Sequence, residues 1–207
     1  MSSLFQFSFI FAAGSPLICR PEQFMPAFPA TLYDDLRPAL AHRGIMLKLE
    51  SIAISVENQV AHLQLNRPDR ANAMDDTLWR ELHQAFDWAS DTPEVRAVIL
   101  SGNGKHFCAG IDLQMLIGLQ QQIQDHCEAR KREKLLLTIE RLQRAVSSIE
   151  HCRKPVIAAI HGACVGGGLD IALAADIRLA ADDAFFSVKE VEIGMVADLG
   201  TLQRLAG

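Results

Sequence analysis

Apolar and polar positions nearly alternate over residues 47–56 and again over 60–65, with Glu57-Asn58-Gln59 between them. This pattern predicts the two strands of a β-hairpin. Asn66-Arg67-Pro68 ends the second strand, because proline cannot continue a ladder. The period then lengthens. From a cap at Asp75 or Asp76 through Ala89, the residues Leu78, Trp79, Leu82, Ala85 and Phe86 share one face, which predicts an amphipathic helix. Residues 95–100 are a short apolar run, read as a buried strand, and Ser101-Gly102-Asn103-Gly104 is a turn. A second small-residue turn at 105–113 leads into a helical start. Residues 120–150 are helical and charged, with Leu135, Leu136, Ile139, Leu142, Val146 and Ile149 spaced as one apolar stripe. Met115, Leu116 and Ile123 are expected to be core or lid residues. Beyond these come a buried strand at 155–160, a buried helix at 169–175 and short strands at 177–180 and 184–187. Residues 188–205 are mostly apolar, and Glu190, Glu192 and Asp198 are their only acids. Strands that alternate with helices in this way argue an α/β fold with a largely buried sheet.

The most informative stretch is 161–170, His-Gly-Ala-Cys-Val-Gly-Gly-Gly-Leu-Asp. Three adjacent glycines between a strand and a helix let the backbone bend tightly and approach a ligand, since no Cβ intervenes. The first amides of a helix lack intrahelical partners and can hold an anion or a developing oxyanion. A second small-residue junction of this kind lies at Gly110. Asp170 sits one turn inside the second helix, where a carboxylate needs a reason to be. By itself a glycine cluster is equally a tightly packed turn, and this one matches neither the phosphate loop nor the dinucleotide fingerprint.

Composition narrows the possibilities. A formal charge of -5 gives no electrostatic case for nucleic acid. The 5 cysteines are scattered, without CxxC spacing, so neither a disulfide framework nor a zinc site is expected, and a reducing interior is. Residues 1–44 differ from the rest: an apolar, Phe-rich run at 4–13 is followed by Pro16, Pro21, Pro26, Pro29 and Pro38. The first basic residue, Arg20, follows the apolar run, unlike a signal peptide, and the run is too short to span a bilayer. Residues 1–44 are read as a poorly ordered extension and 45–207 as the core domain. No membrane span is expected.

With these motifs in hand, a family resemblance emerges. Asn66-Arg67-Pro68, the run Phe107-Cys108-Ala109-Gly110-Ile111-Asp112-Leu113, the glycine stretch through Asp170, Asp176-Ile177-Arg178 and Thr201-Leu202-Gln203-Arg204-Leu205 resemble the enoyl-CoA hydratase/isomerase (crotonase) superfamily. The resemblance runs from about residue 46 to 207. It implies a spiral of ββα units, assembly as trimers or dimers of trimers, and an acyl-CoA thioester substrate. Coenzyme A is then part of the substrate, and no separate cofactor or metal is called for. Family members continue with further helices, so the resemblance implies a core truncated before them.

The resemblance also implies a division of labour. Removing a proton beside a thioester leaves an enolate oxygen, and two backbone amides aimed at it stabilise the charge; losing one such donor typically costs about 3 kcal/mol. The amides implied are those of Ile111 and Gly167, with Ala109, Gly110, Asp112, Leu113 and Gly166 as substrate contacts. Hydratases typically carry Glu at the positions of Asp170 and Glu190 and a small residue at that of Asp198. The trio Asp170, Glu190 and Asp198, spaced by twenty and then eight residues, resembles instead the Δ3,5-Δ2,4-dienoyl-CoA isomerase subgroup. That reaction removes a proton at C2 and returns one at C6, which suits two carboxylates on opposite sides of a diene. Glu190 and Asp198 are expected to be the transfer pair, with Asp170 tuning or orienting Glu190. Like charges crowded in an apolar pocket would push one pKa upward. The apolar neighbours of Asp198 make an unpaired surface position the less expected one. His106 and His161 are read as packing or hydrogen-bonding residues, Lys105 as a weak candidate for a CoA phosphate, and the basic run 130–134 as a solvated helix face. Cys108 and Cys164 are not expected to act as nucleophiles. Enoyl-CoA hydration and a catalytically silent acyl-CoA-binding or assembly role are the alternatives. The location expected is the cytoplasm, or an organelle matrix in a eukaryote.

Overall fold

A computed structural model of the chain describes residues 18–19, 47–194 and 196–205. Apart from Ile18 and Cys19, the extension read at 1–44 lies outside the described residues. The strands are β1 (Ile18–Cys19), β2 (Ile52–Glu57), β3 (Val60–Leu65), β4 (Ala97–Gly102), β5 (Val156–Ile160), β6 (Ala163–Val165), β7 (Ile177–Ala180) and β8 (Phe185–Ser187). The helices are α1 (Asp76–Asp91), α2 (Leu113–Gln122), α3 (Glu128–Glu150), α4 (Gly167–Leu173) and α5 (Thr201–Leu205). Single 3₁₀ turns occupy Pro68–Arg70 and Glu190–Ile193.

The hairpin forms, with β2 and β3 antiparallel, although its first strand begins at Ile52 rather than at residue 47. Asn58 and Gln59 both take positive φ, the geometry that matches a two-residue turn to the twist of its strands. From β3 onward the large sheet is parallel, in the order β2-β3-β4-β5-β7. A smaller sheet, β1-β8-β6, lies beside it. The connectivity repeats: β5 enters the large sheet, β6 the small one, and α4 follows; β7, β8 and α5 do the same. After β4 the second strand is reduced to isolated bridges, Cys108 to Cys164 and Met74 to Ile111, before α2 begins. This is the spiral of strand, strand and helix that the resemblance implies.

The core lies between the large sheet and the helices α1 and α3. Asp75 caps α1, accepting the amide of Leu78 at 2.9 Å. The predicted face of Leu78, Trp79, Leu82, Ala85 and Phe86 is buried, with Ala89 below it. Glu81 is also buried, at 3% exposure, because its carboxylate accepts the amides of Glu50 and Ser51 at 2.9 and 2.7 Å.

Two expectations are corrected. The charged helix read over 120–150 is two helices, parted at 123–127, where Asp125 accepts the amide of Cys127 and pairs with Lys134. The stripe along it is buried only from Leu142 through Val146 to Ile149, while Leu135 and Leu136 are exposed. The three glycines at 166–168 do not follow the strand 155–160 directly: the three-residue β6 intervenes.

Candidate active site

The Ile111 amide is aimed by its neighbours. Met74 donates its N–H to the carbonyl of Gly110 at 2.7 Å and accepts the N–H of Asp112 at 3.0 Å. In extended chain, successive amides point to opposite sides. With Gly110 and Asp112 bonded toward Met74, the Ile111 N–H faces away from it, and among the described residues it has no acceptor. Gly110 takes φ 89°, and a methyl group built on it would meet the carbonyl oxygen of Val165 at 2.7 Å and the nitrogen of Gly167 at 3.5 Å. The two glycine junctions are therefore in contact, and only glycine fits between them.

Gly167 opens α4, and its N–H likewise has no acceptor among the described residues. Ile111 and Gly167 both line a cavity of about 470 Å³. Ala109, Gly110, Leu113, Gly166, Trp79 and Val165 share its wall, and Leu116, Leu119, Ile123, Leu135, Ile139 and Leu142 give it an apolar arm. Of the expected substrate contacts, Asp112 alone does not line it. Asp112 caps α2 through the Gln114 amide and faces Arg67, because its place one residue beyond Ile111 turns it toward the other side of the bridge.

Asp170, Glu190 and Asp198 all line the same cavity. They occupy different settings. Asp170 is fully buried, and its Oδ1 accepts the Thr201 amide at 2.8 Å and the Thr201 hydroxyl at 2.5 Å, while its Oδ2 has no partner. Burial raises its pKa; the two Thr201 hydrogen bonds and the Arg204 charge pull the other way, and Asp198 adds to the rise. Glu190 sits against Gly166, whose built methyl would stand 3.0 Å from Glu190 Oε1. Its Oε2 is buried and unpartnered. Burial raises the Glu190 pKa, and the charges of Asp170 and Asp198 raise it further. Asp170 thus reaches Glu190 through its charge; its hydrogen bonds go to α5.

Asp198 departs from expectation. It is exposed, because the segment around it is irregular and also turns Val196 outward, at 69% exposure. It lines the cavity as an exposed residue, and its carbonyl accepts Gln143 Nε2 at 2.9 Å. Beside it, Arg204 donates to the carbonyl of Leu199 at 3.1 Å and pairs with Glu150 at 2.6 Å.

These loops are held by Asn72, which the sequence did not single out, and by the two histidines expected to be hydrogen-bonding residues. Asn72, fully buried, donates to the carbonyls of Asn103, His106 and Phe107 and accepts the Arg67 amide. An Asn after an NRP triplet was a signal for such a turn, but not for its partners. His106 Nδ1 accepts the Ala163 amide at 3.1 Å, and His161 Nε2 meets the Gly104 carbonyl at 2.9 Å. Cys108 is fully buried, and burial pushes its thiol up to about 12, while the Cys164 thiol is raised as well. Among the described residues, no cluster of three or more His, Cys, Asp or Glu is placed to hold a metal ion, and no helix is long and apolar enough to cross a membrane.

The sequence model of the enoyl-CoA hydratase/isomerase family matches residues 55–207, and the chain belongs to that family of enzymes. It is 49% identical over 158 residues to the peroxisomal Delta(3,5)-Delta(2,4)-dienoyl-CoA isomerase of Arabidopsis thaliana, a match covering 76% of this chain and 57% of the relative. It is 48% identical over 157 residues to the mitochondrial Delta(3,5)-Delta(2,4)-dienoyl-CoA isomerase of Homo sapiens, covering 75% and 48%. The crystal structure of a putative enoyl-CoA hydratase from Streptomyces coelicolor superposes with a TM-score of 0.68 at 30% identity, over 81% of this chain and 59% of that one. The fold is crotonase-like, and the chain spans about half the length of the curated relatives it matches.

Proposed function

We propose that this chain carries the proton-transfer site of a 3,5-dienoyl-CoA to 2,4-dienoyl-CoA isomerase. The observation that supports the reading is convergence: Asp170, Glu190 and Asp198 line one cavity with the acceptor-free amides of Ile111 and Gly167. The two amides bind the thioester oxygen and stabilise the dienolate formed when a carboxylate removes the C2 proton. Asp198, at the rim, takes that proton. Glu190, whose pKa burial raises, serves as the acid partner and delivers its proton to C6, so the substrate is rearranged with no net gain or loss of atoms. Asp170 raises the Glu190 pKa by its charge. The apolar arm takes the rest of the acyl chain, and coenzyme A enters only as part of the substrate.

The dienoyl-CoA isomerase names of the relatives support the same choice, as do their peroxisomal and mitochondrial designations for an organelle-matrix location. Assembly as a homotrimer or pair of trimers follows from the family resemblance. Hydration of 2-enoyl-CoA is the second reading, favoured by the family description, which covers both reactions. Supplying the protein with a 3,5-dienoyl-CoA and, separately, a 2-enoyl-CoA tests the assignment. Formation of the conjugated 2,4-dienoyl chromophore from the first, far faster than loss of the enoyl chromophore from the second, is expected. Hydration without isomerisation makes it a hydratase, and binding without turnover makes it a silent acyl-CoA-binding protein.

A further inference from the structure

The Asn66-Arg67-Pro68 triplet is not used by the proton chemistry, yet Arg67 lies at the centre of the loops that aim the Ile111 amide. Its guanidinium donates to the carbonyl of Ala73, pairs with Asp75 at 3.0 Å and reaches Asp112 at 3.4 Å. Ala73 and Asp75 flank Met74, and Asp112 follows Ile111. The two chain segments joined by the Met74–Ile111 bridge are thus also joined by one side chain, which holds the residues on both sides of Met74 and the one after Ile111. Asp75 and Asp112 are in addition the N-caps of α1 and α2, so both helices are referred to the same planar group. A guanidinium holds several acceptors in one plane, and an ammonium cannot do so in fixed directions. The Arg67 side chain is 19% exposed, and that of Asp112 16%, so water screens the contact only in part.

We infer that Arg67 is a positioning residue for the oxyanion-binding amide of Ile111, acting through Ala73, Asp75 and Asp112 to fix the bridge that points this N–H into the cavity. The inference rests on the oxyanion reading above and adds a residue that touches no reacting atom. It predicts a selective effect. Displacing the amide by a fraction of an ångström weakens binding to a full negative charge far more than binding to a neutral carbonyl.

The test compares two probes on the full chain by calorimetry: acetoacetyl-CoA, which ionises to an enolate, at a pH above its ionisation, and saturated butyryl-CoA, which does not ionise. For Arg67→Gln, affinity for the enolate should fall about 10-fold or more while affinity for butyryl-CoA stays within about 3-fold. Arg67→Lys should retain an intermediate preference. If Arg67→Gln does not fold, Asp112→Asn, which keeps the helix cap but removes the charge partner, should show the same selective loss to a smaller degree. Equal losses for the two probes, or an enolate preference unchanged in the folded variants, overturns this inference alone. A wild-type protein with no preference for the enolate overturns the oxyanion reading and this inference with it.

Discussion

The carboxyl group of Glu190 rests against the α-carbon of Gly166, and a methyl group placed there would stand 3.0 Å from its Oε1. Gly166 also takes φ 51° and ψ −124°, a conformation side chains disfavour. Gly166→Ala should therefore lose stability by about 1–3 kcal/mol from backbone strain. It should also displace Glu190, so the isomerisation rate should fall by more than the folded fraction does. Urea unfolding together with the dienoyl assay separates the two effects.

Stability should depend on pH through Glu190. Burial, reinforced by Asp170 and Asp198, holds its pKa above the usual 4.5. Between 4.5 and that raised value the folded chain keeps a proton that the unfolded chain has released, so stability falls as pH rises through the interval. Glu190→Gln removes this penalty. The variant should be inactive as an isomerase yet melt at the same temperature as wild type or higher at neutral pH, with the gain disappearing below about pH 4.5. A variant less stable than wild type by the same amount at every pH would show the side chain to be a packing element.

Asp170 offers a cleaner electrostatic test. Asp170→Asn keeps an oxygen for the Thr201 amide and hydroxyl while removing a charge that raises the Glu190 pKa. The limb of the pH profile of kcat/KM that reports Glu190 should move to lower pH. An unmoved limb would mean that Asp170 serves only to hold α5.

Asn72 ties the loop after β3 to the loop after β4 through four backbone partners. Asn72→Ala leaves those partly buried groups without this partner and should cost about 2–4 kcal/mol, at roughly 1 kcal/mol or less for each. Denaturant titration with an unchanged slope would check it.

How much of this was legible in the sequence depended on the range of the interactions. The α1 helix was readable to within two residues, because its cap and its apolar face are local. The hairpin was readable for the same reason. The break between α2 and α3 was not: the Asp125 turn that parts them is polar, like the helices around it. Strand β6 is three residues long and gains its identity only from β8 and Cys108. The acids at 170, 190 and 198 were found through the family resemblance, and no periodicity places them on one cavity. Asp198 misled in one respect, since apolar neighbours in a loop do not bury a side chain as they do in a helix. Arg67 and Asn72 carry no local pattern that names their partners; besides near ones between residues 67 and 75, they reach groups 31 to 45 residues away.

The most direct test of the account is hydrogen exchange at C2 of a 3,5-dienoyl-CoA in deuterated water, read alongside isomerisation for wild type, Glu190→Gln and Asp198→Asn. If Asp198 takes the C2 proton and Glu190 serves C6, Glu190→Gln should still exchange C2 while failing to form the 2,4-diene. Asp198→Asn should lose both by about 100-fold or more. Undiminished exchange and isomerisation in Asp198→Asn would contradict the account.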